Sequence, residues 1–191
     1  LFTLVSLFSQ TVFANSTGII GRSGKQGPTC NDSGCHSGSD YQSSLDYNGV
    51  LTVEPNESID MNLLHAFSTP INSGLSMAGI NIAVSDGTLD VGSGLQKRGD
   101  ELTHTFGGLA QLPDNQREWI FTWTAPSTEG TAVLYACAEA VDRNFSQTND
   151  DASAACIKQN IAVKKSSVVE PPTEPEPTSV VGDVNGDGID D

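Results

Sequence analysis

Apolar and polar residues alternate in short segments through the middle of the chain, from about residue 48 to residue 163. Ile80, Ile82 and Val84 share one face of such a segment, and a later one carries its aromatic residues on a single side. Alternation with period two predicts half-buried β-strands. About seven strands are predicted, at 48–53, 58–65, 78–84, 101–106, 117–124, 131–141 and 156–163.

Turn-forming residues separate these segments, as at Asp86-Gly87 and Asp114-Asn115. No segment carries an apolar stripe of helical period over a helical length. Many short strands with regular turn signals are typical of a sandwich of two sheets. The pattern therefore predicts a mainly β protein, an antiparallel β-sandwich.

Composition divides the chain into five parts. Residues 1–14 are apolar, uncharged and end in small residues, which is typical of the end of a signal peptide. Residues 15–46 form an irregular Gly/Ser-rich arm, and residues 47–165 form the sandwich domain. Residues 166–181, rich in Pro and Glu, are predicted to be a disordered, extended linker. Residues 182–191 are interpreted as the start of a calcium-binding repeat.

The net charge of −15, from 24 acidic and 9 basic residues, disfavours binding to nucleic acid and to anionic membranes. The same charge favours cations and basic proteins. The first residues are too short to span a bilayer comfortably, and no other stretch is long enough to be a membrane helix. Their signal-peptide pattern implies export, to the periplasm, the cell surface or the medium.

Four cysteines stand in two close couples. An exported protein enters an oxidising compartment, so its cysteines should be paired or ligated. Cys137 and Cys156 flank an 18-residue stretch and are predicted to form a disulfide between the last two strands. Cys30 and Cys35 allow more than one interpretation.

Cys30 and Cys35 are followed at once by His36. A c-type haem is attached through two cysteines, and the histidine after the second binds the iron. Four residues separate the cysteines here, where two are usual. A structural Cys30–Cys35 disulfide and a zinc site are the alternatives.

The run TGIIGRSGKQGPTCNDSGCHSG, the segment ELTHTF and the strand EWIFTWTAPSTEGTAVLYACAEAV resemble exported bacterial β-sandwich domains related to the Reeler domain, some of them labelled choice-of-anchor domains. The resemblance covers roughly residues 17–163. It implies a Reeler- or immunoglobulin-like sandwich with an N-terminal haem-binding arm, carrying one covalent haem c on Cys30 and Cys35 with His36 as the proximal ligand.

The second axial ligand is expected to be His104, on which the resemblance also falls. His104 lies between Leu102 and Phe106 on the apolar face of a predicted strand. His65 is the main alternative, followed by Met61 and Met77. Two histidines would leave no open position on the iron, which favours electron transfer over catalysis.

The chain ends in GDVNGDGIDD, the first half of a calcium loop. The run resembles the calcium loops of dockerin repeats, of thrombospondin type 3 repeats and of integrin-like propeller repeats. The expected Ca²⁺ ligands are the side chains of Asp183, Asn185, Asp187 and Asp191 and the carbonyl of Ile189.

Two functions follow from these observations. The first is exported electron transfer by a haem c protein, through other redox proteins or self-assembly that brings haems close. The alternative is a non-redox module for binding or assembly at the cell surface, anchored through a later segment, in which Cys30–Cys35 is a structural disulfide. No catalytic constellation is found, so an enzyme is not predicted.

Overall fold

Two β-sheets packed face to face make up the fold, as the alternation predicts. The computed structural model describes residues 16–30, 32, 42–67, 77–106, 116–141 and 153–165. These residues contain ten strands: β1 Ser43–Tyr47, β2 Thr52–Val53, β3 Ser58–Phe67, β4 Met77–Val84, β5 Thr88–Asp90, β6 Leu95–Arg98, β7 Glu101–His104, β8 Gln116–Thr124, β9 Gly130–Val141 and β10 Ser153–Val163.

One sheet has four strands in the order β1-β3-β8-β5, and the other has six in the order β2-β10-β9-β4-β7-β6. All pairs are antiparallel except β2 with β10, which is parallel. The chain changes sheets between β1, which pairs with β3, and β2, which pairs with the end of β10. The predicted mainly β sandwich is confirmed.

The core lies between the sheets and is built from alternate residues of each strand. Trp119, Phe121 and Trp123 of β8 are at most 1% exposed. They face the aliphatic residues of the six-stranded sheet, among them Ile80 and Ile82 of β4. Aromatic side chains fill the space between two sheets efficiently, so the aromatic strand has the core role that its periodicity predicts.

Two strand predictions need correction. The structure has a strand at Ser43–Tyr47, inside the span assigned to the arm, and only Thr52–Val53 remains of the predicted strand 48–53. The strand predicted at 101–106 ends at His104, and Phe106 is 64% exposed. The expected apolar wall of Leu102, His104 and Phe106 is therefore wrong at Phe106, because the strand ends before it.

Cys137 and Cys156 stand directly opposite each other on β9 and β10 and form a disulfide. The predicted pairing is confirmed. The bridge closes the connection between the last two strands. Closing such a loop restricts the unfolded chain more than the folded one.

We expect the double variant Cys137→Ala, Cys156→Ala to lose about 3 kcal/mol of unfolding free energy, from the loop-closure entropy of the unfolded chain. Urea titration followed by tryptophan fluorescence measures this loss. Treating the wild type with a reductant should lower its midpoint similarly. An unchanged midpoint in the double variant would show that the bridge adds no stability.

Candidate functional site

The Gly-rich arm lies on the outer face of the six-stranded sheet. Its peptide groups donate to side chains of the sheet: Ile19 N to Thr103 Oγ1 at 3.1 Å, Gly21 N to Glu101 Oε2 at 2.7 Å and Arg22 N to Asn81 Oδ1 at 2.7 Å. Asn81 alternates with the core residues Ile80 and Ile82, so it faces away from the core. The arm thus takes its position from polar groups of β4 and β7.

These polar side chains form a buried network beneath the arm. Asn81 and Thr103 are fully buried, and Glu101 is 8% exposed. The Asn81 amide donates to Glu101 Oε2 at 2.9 Å and to the Leu102 carbonyl at 3.1 Å. A buried polar group without a partner costs about 1–3 kcal/mol. The arm supplies the remaining partners, so arm and sheet stabilise each other.

The edge strand β6 holds the start of the arm. The Arg98 guanidinium donates to the carbonyls of Thr17 and Gly18, at 3.0 Å each. Gly18 has φ of +86°, and a Cβ there would stand 2.4 Å from the His104 carbonyl oxygen. Both the left-handed backbone and the close approach require glycine at this position. The arm therefore enters the fold at β6 and β7.

Cys30 ends the continuous run 16–30 of the arm and is buried, at 8% exposure. Its Sγ lies 3.7 Å from the Cys137 carbonyl oxygen and 3.8 Å from that of Arg22. The turn before it is closed by a bridge between Ser23 and Thr29. Cys30 is thus fixed against β9. Cys35 and His36 lie outside the described residues.

His104 stands at the point where the pairing of β7 with β4 ends. The backbone pairing of the two strands stops at Asn81↔Thr103. Beyond that pair, side chains of β7 contact the N–H and the carbonyl of Ile80 in place of backbone groups. Thr103 Oγ1 donates to the Ile80 carbonyl at 3.0 Å. His104 Nδ1 lies 3.1 Å from Ile80 N and 3.3 Å from Ile80 O. The imidazole can therefore accept from this peptide or donate to it, depending on its tautomer.

Gly79 makes room for the His104 ring. A Cβ at Gly79 would stand 2.8 Å from His104 Cε1. Gly79 alternates with Ile80 and shares the outer face with Asn81, so the ring reaches the face that carries the arm. Asn81 pairs with Cys137 on one side and with Thr103 on the other. The backbones of Cys137 and Thr103 are therefore two strand spacings apart, roughly 10 Å. Cys30 and His104 therefore share one region of this face.

The alternative ligands lie in the core. Met61 and His65 are fully buried, and both face the other sheet from β3. His65 stands between Leu45 of β1 and Arg117 of β8. Burial lowers the pKa of His65 to about 4, so the imidazole is neutral at physiological pH. The side chain of Met77 lies outside the described residues.

The sequence pattern does not indicate that polar residues of the sheet hold the arm. Glu101 and Thr103 alternate with Leu102, and Asn81 interrupts an aliphatic strand. That pattern alone predicts a solvated face. Only the pairing of β4 with β7 brings the three side chains together, and only the arm buries them.

No group of three possible metal ligands occurs among the described residues. None of these residues belongs to a helix that is long and apolar enough to cross a membrane. The predicted calcium ligands, Asp183, Asn185, Asp187, Ile189 and Asp191, lie outside the described part of the chain. The zinc, haem and calcium sites therefore stay predictions.

Comparison with known proteins finds no matching family model and no matching curated protein. Similar solved structures include the CARDB domain of a Pyrococcus furiosus protein, 14% identical over 65% of this chain and 96% of that chain, with a TM-score of 0.39. The fimbrial major subunit AggA of Escherichia coli is 8% identical, covering 67% of this chain and 97% of that chain, with a TM-score of 0.39. A cohesin module from Clostridium perfringens is 9% identical, covering 65% and 97%, with a TM-score of 0.37. At these scores the likenesses carry no argument about function.

We expect Glu101→Ala to release the arm, since Gly21 N and the Asn81 amide would both lose their acceptor. The loss should be about 2–3 kcal/mol, because the acceptor is a carboxylate. Limited trypsin digestion should then cleave faster at Arg22 and Lys25. Asp100→Ala, at the exposed neighbouring carboxylate, is the matched control and should leave the cleavage rate unchanged. Equal rates in both variants would show that the network does not hold the arm.

We expect His65 to make the protein less stable as the pH falls below 6.5. Burial lowers its pKa to about 4. Between pH 6.5 and pH 4 the imidazole therefore binds a proton in the unfolded state but stays neutral in the folded state. Each pH unit costs about 1.4 kcal/mol. Urea unfolding at pH 7.5 and 5.5 measures the loss of stability between them, which His65→Leu should reduce by about 1.4 kcal/mol, because one pH unit of this interval lies below 6.5. An equal loss in the variant would contradict the prediction.

Proposed function

We propose that this chain is an exported, non-redox module for binding or assembly at the cell surface. In this proposal the arm and the cysteines are structural and the sandwich presents the binding surface. The observation that carries the proposal is the integration of the arm into the fold. Its peptide groups satisfy Thr103, Glu101 and Asn81, and its Cys30 sulfur is buried against β9. A structural role for the arm therefore accounts for these contacts without a bound haem.

The Cys137–Cys156 disulfide supports the exported part of the proposal, because structural disulfides persist in oxidising compartments. The apolar first residues of the sequence support the same conclusion. The terminal run from Asp183 to Asp191 would add a calcium-binding repeat, whose oxygen ligands alternate as Ca²⁺ requires.

A second candidate is attachment of a c-type haem, favoured by the placement of His104. Metal-binding histidines commonly have their second ring nitrogen bonded to a backbone group. His104 Nδ1 is held at the Ile80 peptide, while Gly79 leaves space for the ring. Cys30 is fixed in the same region of the sheet. The described residues therefore fit such a group, with His36 and Cys35 required to complete its attachment.

In that second candidate the haem would supply reversible one-electron transfer. The chain's own residues would do the rest. The arm would fix Cys30, the Ile80 carbonyl would accept from Nδ1–H of His104, and the Nε2 atom would thereby be left as the ligand atom. If Nδ1 instead accepts from Ile80 N, the proton lies on Nε2 and the imidazole is structural, so the contacts with Ile80 are compatible with both candidates.

One experiment separates the two candidates. Residues 16–191 are exported behind a cleavable signal in a bacterium that has the c-type haem maturation system, and the pyridine haemochrome spectrum and intact mass are recorded. The proposed function predicts a colourless protein whose mass shows two disulfides. A c-type α-band with the added mass of one haem would overturn it and establish the second candidate.

The variant His104→Ala sharpens the distinction. If the imidazole is structural, the variant loses the hydrogen bond to Ile80 N, about 1 kcal/mol, and no spectrum changes. If His104 is a ligand, the low-spin spectrum of the coloured protein is lost. Gln159→Ala, at a side chain on the far strand β10, is the control for both readouts.

A further inference from the structure

Strand β10 has an exposed hydrogen-bonding edge along the side of the sandwich. Ala162 N donates to the Leu51 carbonyl and Lys164 N to the Val53 carbonyl, both at 2.9 Å. Peptide groups two residues apart in a strand point the same way. The peptide groups of Lys158 and Cys156 therefore also point away from β9. Among the described residues, β2 covers this edge only at Ala162 and Val163.

An open groove runs beside this edge, with β1 as its other wall. Its volume is about 590 Å³, and it is lined by Leu45, Asp46, Tyr47, Asn48, Leu64, Ile157, Lys158 and Gln159. Tyr47 and Ile157 pack against the core but are only partly buried. The lining of the groove is mainly polar, with an apolar contribution from Leu45, Leu64, Tyr47 and Ile157. A strand edge beside such a groove fits an extended peptide, which pairs through its backbone and places alternate side chains in the groove.

Three lysines lie on β10 or directly after it. Lys158 lies in the groove, and Lys164 and Lys165 follow the end of β10. These are three of only 9 basic residues in a chain whose net charge is −15. The Lys158 ammonium lies 5.6 Å from the centre of the Tyr135 ring, over the sheet rather than across the edge. The Lys158 side chain therefore does not cover the edge, on which the Asn160 carbonyl accepts from Gln159 Nε2 at 2.9 Å. Lys158, Lys164 and Lys165 outweigh the charge of Asp46 on the β1 wall, which favours an acidic partner.

The chain itself contains an acidic segment suited to this edge. It begins directly after Lys165 and includes Glu174-Pro175-Glu176-Pro177-Thr178. Proline lacks an N–H and is tolerated in a strand only where that position faces away from the partner. The two prolines stand two residues apart, so in an extended strand both face one side. The N–H groups of Glu174, Glu176 and Thr178 all face the other.

We propose that the edge of β10 binds the Pro/Glu-rich segment 166–181 of this chain as an added strand. The nine residues 165–173 can extend about 30 Å. The edge at Lys158 lies only about 17 Å back along β10 from Val163. The segment is therefore long enough to reach the groove of its own molecule. The segment of a second copy could occupy the same groove. The proposal does not depend on whether the arm carries haem.

Amide hydrogen exchange measured by NMR tests the proposal directly. Residues 16–191 are compared with a chain that ends at Lys165, which retains every described strand and core residue. The amides of Lys158 and Asn160 should exchange at least about tenfold more slowly in the longer chain. The amides of Ala162 and Lys164, bonded to Leu51 and Val53, are internal controls and should not differ. Equal exchange of Lys158 and Asn160 in both chains would overturn the proposal.

Charge variants test the choice of occupant. Lys158→Glu in the longer chain should remove most of the added protection, and high salt should weaken it. Lys25→Glu makes the same charge change at an exposed site on the arm and should have no effect. Restored protection in Lys158→Glu combined with Glu174→Lys and Glu176→Lys would support the pairing. Protection that persists in the chain ending at Lys165 would show another occupant and contradict the proposal.

Dilution identifies which molecule supplies the strand. Protection independent of protein concentration assigns the segment to the same molecule, where the short tether gives a high effective concentration. Protection that falls on dilution, together with a dimer or polymer in analytical ultracentrifugation, assigns it to a second copy. Both results support segment 166–181 as the occupant.

Discussion

The structure depends on a carboxylate and an amide that the sheet buries on its outer face. Glu101 and Asn81 contact each other through a 2.9 Å hydrogen bond, and neither lies in the apolar core. Each needs further partners, since burial removes the water that would otherwise solvate it. The peptide groups of Gly21 and Arg22 meet this need. A segment with almost no apolar residues is thereby held in place without a core of its own.

This constraint explains why the sequence shows the fold more clearly than the site. The period of Ile80, Ile82 and Val84, and that of the aromatic strand, survives in the structure because burial between two sheets acts on alternate residues. The irregularity of the arm also follows from its composition. Its docking does not, since the bonds from Ile19 and Arg22 join residues 84 and 59 positions apart. No local pattern records such contacts.

The prediction of His104 shows the same limit in a single residue. Its position beside Leu102 suggests an apolar wall that continues to Phe106, but strand β7 ends at His104. The ring then meets the Ile80 peptide where the ladder stops. Alternation assigns a side chain to one face only while pairing continues. At a strand end the side chain can replace the missing backbone partner, which the sequence does not reveal.

The sheet change between β1 and β2 connects the arm to the groove. By pairing first with β3 and then with β10, the chain leaves the middle of β10 paired only with β9 among the described residues. The arm covers the outer face near β7, and the β10 edge lies toward the other end of the six-stranded sheet. The docked arm and the open edge of β10 therefore have different roles in one sheet. Buried polar contacts hold the arm in place before any partner binds, whereas the β10 edge keeps backbone groups with which a partner strand can pair.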